Sequence, residues 1–171
     1  GFTNTGPDVQ DLYIEQLKEG DASQYRTPAG WARFETAQEV IRVKGQADVT
    51  MTVRRTRHGP VISDAGTVDD VLGPKARPTH VLAMRWTALD PDPGTLEASL
   101  DMVQARSVPE FVKATARYVA PMQNMVVADR EGRIGEVSAG RVPLRKPDND
   151  LKGQVPSPGW EARYDWAGFL D

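Results

Sequence analysis

The spacing of hydrophobic and polar residues changes character several times along this chain, and each change predicts an element. Leu12-Tyr13-Ile14-Glu15-Gln16-Leu17 is rich in aromatic and branched side chains and predicts a strand. Residues 40–45 predict a second strand, closed by Gly45. Residues 47–56 alternate well enough to pair with it as a hairpin. Arg57-His58-Gly59-Pro60 breaks that run and Val61-Ile62-Ser63 resumes it, while residues 80–87 read as a mostly buried strand. Between these runs, residues 25–39 carry Pro28 and Gly30 and predict an irregular loop held down by Trp31 and Phe34. Residues 64–78, with Gly66, Gly73, Pro74 and Pro78, predict a polar surface excursion, and residues 90–94 a loop.

Helical spacing appears in the second half. Leu96, Leu100 and Val103 fall on one face of a predicted helix over residues 96–105, with Glu97 and Asp101 outside. Ser107-Val108-Pro109-Glu110 is a capping box, in which the hydroxyl caps a helix and the acid three places on reaches back. Phe111, Val112, Thr115, Tyr118 and Val119 then predict the buried face of a helix ending before Pro121. Residues 122–145 organise the rest. Two β-rich runs, 124–128 and 133–138, flank Asp129-Arg130-Glu131-Gly132, a polar turn whose Gly supplies the positive φ of a bulged hairpin. Residues 146–159 are polar and rich in Pro and Gly, and residues 160–171 carry aromatics with no clear period.

A length of 171 residues suits one domain with a core of useful size. The net charge of -3, with acids and bases intermixed, argues against a nucleic-acid surface. No apolar run approaches the roughly 18 residues that cross a bilayer. With no Cys and two His, thiol catalysis, disulfides and a conventional zinc site or Ser-His-Asp triad are excluded or hard to assemble. The chain opens on Gly1 without an initiator Met and ends without a tail-like segment, so it is expected to be cut from something larger.

Three groups carry candidate chemistry. Asn124 opens a strand and is either a turn former or a rigid uncharged donor toward a reacting carbonyl oxygen. Asp8-x-x-Asp11 brings two carboxylates within reach of one hard cation, although two acids in a turn are also plain turn chemistry. His58, beside a Gly-Pro turn and away from any nucleophile setting, reads as structural.

Several stretches together resemble the large subunit of the penicillin acylase (penicillin amidase) family of N-terminal nucleophile hydrolases. They are Gly1-Phe2-Thr3-Asn4 with residues 8–13, then residues 56–61, 123–135 and 140–145. The last runs from Pro158-Gly159-Trp160 to Asp165-Trp166 and Gly168-Phe169. The resemblance implies an α+β fold, part of a four-layer αββα sandwich, predominantly antiparallel β with two helices. Residues 1–171 would form a single domain, an internal piece of the large (β) subunit made by autoproteolysis. The nucleophile would be an N-terminal Ser upstream of Gly1, its own amine acting as base.

Carried over by motif, Asn124 matches the side-chain donor to the oxyanion and Asn4 the backbone N–H donor. Arg145 matches an arginine near the active site that suits a substrate carboxylate, with a buried ion pair as its alternative. Asp8, Gln10 (through its carbonyl) and Asp11 match ligands of a structural calcium. Implied partners are an acylated small-molecule amide, the small (α) subunit and the remainder of the large subunit, with export to the periplasm or beyond. A penicillin, a cephalosporin side chain, an N-acyl homoserine lactone or a cyclic lipopeptide all fit as substrate. The competing reading is a non-catalytic relative that binds a ligand or acts as a calcium-braced interaction module. Trp31, Phe34, Trp160, Trp166 and Phe169 are expected at the surface of such a piece.

Overall fold

Asp129 sets the register of the central hairpin: its Oδ1 accepts the N–H of Glu131 and of Arg133, and Gly132 takes φ 81°. This is the turn chemistry that the sequence predicted. From it, strands Gln123–Ala128 and Ile134–Ala139 pair antiparallel, with Ser138 opposite Asn124 and Ala139 opposite Gln123. The computed structural model describes residues 1–66, 69–76, 78–91 and 94–170. Thr67, Val68 and Arg77 of the predicted excursion, Asp92 and Pro93 of the predicted loop, and Asp171 lie outside the described residues.

The chain divides into two compact units. The first comprises residues 1–9, 86–144 and 166–170. Its sheet has the order Phe2–Asn4, Gln123–Ala128, Ile134–Ala139, all antiparallel. Gln123 and Met125 point to the face covered by helix Val108–Thr115 and are buried. The opposite face carries Thr3, Asn124, Val126, Glu136 and Ile134, and it is largely open, with Ile134 83% exposed. Helix Thr95–Gln104 packs against Val108–Thr115, and Thr95 Oγ1 accepts the N–H groups of Val119 and Ala120. Trp166–Phe169 is a short strand, held where Arg141 lies over Phe169 at 5.0 Å and reaches Asp90 at 3.1 Å.

The second unit comprises residues 10–85 and 145–165. Gln10–Lys18 is its central strand, paired with Asp21–Thr27 by a tight turn, with His80–Trp86 and, in parallel, with Ser157–Pro158. Its apolar core is Tyr25, Phe34, Val61 and Val81, with Leu17 and Ala32 against it. A second ladder, Glu35–Ile41 with Val49–Thr56, forms a ribbon whose first strand is exposed along its whole length.

Five expectations need correction. Residues 25–39 are not an irregular loop: Asp21–Thr27 and Gly30–Arg33 form a hairpin around Pro28 and Ala29, followed by Glu35–Ile41. Pro28 sits in that turn and Gly30 opens the second strand, so they punctuate the sheet without interrupting it. The excursion 64–78 contains a further helix, Asp69–Ala76, interrupted at Gly73 (φ 67°), so the described residues form three α-helices where two were expected. Leu96, Leu100 and Val103 face outward at 71%, 56% and 85% exposure, and Ala98 is the residue of that helix that is buried. The second predicted helix stops at Thr115, short of Tyr118 and Val119. Among the five aromatics expected at the surface, Trp31 alone is exposed; Trp160, Trp166 and Phe169 are half-buried and Phe34 is core.

Candidate active site

The amides at the start of strand Gln123–Ala128 divide between the two faces of the sheet, because successive side chains of a strand alternate. Gln123 turns to the helix side, where its Nε2 donates to Asn4 Oδ1 at 2.7 Å. Asn124 turns to the open face and is half-buried, and Ser138 Oγ donates to its Oδ1 at 2.6 Å. That bond uses the acceptor end of the amide and leaves the NH2 end to be presented.

The backbone of Asn4 is placed by ladder alternation. Gly1 and Val126 exchange both hydrogen bonds, and Thr5 N–H donates to Met122 O. Positions two apart in an antiparallel ladder behave alike, so Thr3 opposite Asn124 is a hydrogen-bonded pair and Asn4 opposite Gln123 is not. Asn4 therefore directs its N–H away from Gln123–Ala128, toward the free edge of the sheet. The structure brings Asn124 and Asn4 to neighbouring register positions on adjacent strands. Ser138 was missed by sequence reasoning. Counting the ladder back from the Gly132 turn would have found it opposite Asn124.

In the second unit, Arg145 engages Asp11: Nη2 to Oδ1 at 2.6 Å, Nε to Oδ1 at 3.2 Å and to Oδ2 at 3.1 Å. Nη2 also reaches the Gln10 carbonyl at 3.4 Å. This is the ion pair that the sequence left as the alternative for Arg145. Asp8 belongs to the first unit and is exposed. Among the described residues, no group of three or more His, Asp or Glu gathers to hold a metal ion.

His58 lies in a buried polar cluster. Its Nδ1 meets Glu15 Oε1 at 2.7 Å and its Nε2 meets Asp165 Oδ1 at 3.0 Å, while its ring stacks on Tyr13 at 3.6 Å. Arg57 Nη2 closes the cluster on Asp165 at 2.7 Å. Burial and the nearby Asp11 carboxylate raise the Tyr13 phenol, which donates to Tyr164 O at 2.8 Å. Burial works against ionisation of Asp165, but hydrogen bonds from His58 and Arg57 outweigh it and hold its carboxyl at about 2. Both ring nitrogens of His58 are committed to carboxylates, in keeping with its structural reading. Glu15 and Asp165 were not singled out in the sequence, because nothing local marks an acid 43 or 107 residues away as a partner.

Strand Phe2–Asn4 thus directs one backbone N–H outward beside the Ser138-held amide of Asn124. The penicillin amidase family matches residues 1–171, and the chain belongs to that family. It is 36% identical, over its whole length, to the acyl-homoserine lactone acylase QuiP of Pseudomonas aeruginosa, of which it covers 20%. It is 30% identical to the penicillin acylase 2 proenzyme of Pseudomonas sp. (strain SE83), with 98% of this chain and 20% of the relative covered. Among solved structures, a thermostable penicillin G acylase from Alcaligenes faecalis superposes with TM-score 0.80 and 31% identity, covering 100% of this chain and 28% of that one. The chain thus spans about a fifth of the length of these curated relatives.

Proposed function

We propose that this chain supplies the oxyanion-binding strands of an acylase that hydrolyses an acyl–amide bond. The observation that carries the reading is the pair of donors one register step apart: the Asn124 NH2, held by Ser138, and the Asn4 N–H, freed by ladder alternation at the sheet edge. Such donors stabilise the negative charge that develops on a carbonyl oxygen under attack, and they cost no reorganisation at that moment. In this reading a Ser outside the chain attacks the amide carbonyl and its proton passes to its own α-amine. The oxyanion forms against Asn124 and Asn4. The C–N bond breaks as the amine takes that proton, and water then releases the acid from the acyl-enzyme.

The open face that carries Asn124, Val126 and Ile134 is the surface on which a second sheet of an αββα sandwich would lie. N-acyl homoserine lactones are the first substrates to try, since the relatives of that description are 32–36% identical, and penicillins the second. Export from the cytoplasm belongs to the same reading, and cell fractionation checks it.

The test is Asn124→Ala in the polypeptide that carries this chain. Turnover of the hydrolysed amide is expected to fall on the order of 10²–10³-fold with an unchanged melting temperature. A fall of less than about tenfold removes Asn124 from the oxyanion site.

A further inference from the structure

The calcium expected at Asp8, Gln10 and Asp11 meets a cation already there. Calcium takes about six to eight oxygen ligands at roughly 2.3–2.6 Å. Both Asp11 oxygens and the Gln10 carbonyl, two of the three expected donors, instead face the Arg145 guanidinium. Asp11 is buried and Arg145 partly so, their side chains 3% and 15% exposed. A fork of N–H donors on a carboxylate satisfies both partners in a way that a point charge on a flexible stem does not. A divalent ion bound to the same oxygens would stand against the guanidinium charge. The donor set present does not fit calcium.

The loop after Arg145 is built around this pair. Asn149 is buried and its Oδ1 accepts the N–H groups of Leu151 and Lys152. Lys152 takes φ 51°, a conformation that L side chains rarely adopt, and its Nζ reaches the carbonyls of Lys146 and Pro147. Gly153 follows at φ 77°. A Cβ there would collide with Asp11 Oδ1 and come within 2.6 Å of Arg145 Nε and Nη2. Two successive left-handed residues press a bare backbone onto the ion pair and leave no room for a further ligand on that side.

We infer that Arg145 is the resident cation of the Gln10–Asp11 segment and that the protein binds no divalent ion at Asp11. The inference stands apart from the proposed acylase activity. It is tested in the polypeptide that carries this chain, after EDTA treatment, by melting temperature with and without millimolar CaCl2. The wild type is compared with Arg145→Gln and with the double variant Asp11→Asn/Arg145→Gln, which leaves neither charge buried alone.

The wild type is expected to melt at the same temperature with and without calcium. Arg145→Gln is expected to melt several degrees lower in EDTA and to regain part of the loss with calcium, because it strands a buried carboxylate. The double variant should lie between them and ignore calcium. Should Arg145→Gln fail to fold, the wild type and the double variant decide alone. A calcium response shared equally by both originates elsewhere in the polypeptide and agrees with the inference. A response present in the wild type and lost in the double variant overturns it, as does an Arg145→Gln that melts like the wild type.

Discussion

At Asp165, burial and hydrogen bonding pull in opposite directions, and hydrogen bonding wins. Its carboxyl titrates at about 2, below the ordinary 3.8, because His58 and Arg57 both donate to it. A carboxyl lowered on folding adds stability that is fully present above its unfolded value and is lost as pH falls through the folded one. The protein should therefore lose stability between about pH 4 and pH 2 through this group. Asp165→Asn is expected to cost roughly 1–2 kcal/mol at neutral pH. It should also flatten the pH dependence in that acid window. Melting curves across the range check both. Little of this cluster was legible in the sequence: His58 was read as structural, but its two acids come from other strands and loops. Asn124 and Asn4 were singled out through motif matches, and the ladder places them one register step apart. Arg145–Asp11 was legible only as an alternative, since 134 residues separate the partners.

Elements were most legible where local chemistry decides them. The predicted cap forms, with its return bond shifted by one residue: Ser107 Oγ accepts the Glu110 N–H at 3.4 Å, while Glu110 Oε2 accepts the N–H of Arg106, the residue before the cap, at 2.8 Å. The first bond is long, so Ser107→Ala is expected to cost about 0.5–1 kcal/mol, the low part of the usual range for caps. Chemical denaturation of the variant against the wild type measures it. Exposed strands were the least legible. Glu35–Ile41 buries no residue, so no alternation betrays it, and it exists through its ladder with Val49–Thr56. Helix Thr95–Gln104 shows the converse, with an apolar stripe that is present in the sequence but faces outward.

For the whole molecule, the stripe and the open sheet face add up. Phe2, Leu96, Leu100, Val103, Val126 and Ile134 are all more than half exposed, and all belong to the first unit. Apolar surface of this extent favours association. The 171-residue chain expressed alone is expected to sediment as oligomers or aggregates, and a clean monomer at micromolar concentration would contradict this. The sequence could name the aromatic residues in play, but their exposure depends on packing between elements, which no local pattern encodes.

The strand Phe2–Asn4 aims its donor by counting and not by side-chain identity. Asn4→Ala should leave turnover near the parental rate, whereas removing one residue between Phe2 and Asn4 would swap inward and outward amides and abolish it. For turnover, then, a change of side chain at position 4 is expected to matter less than a change of length in this strand.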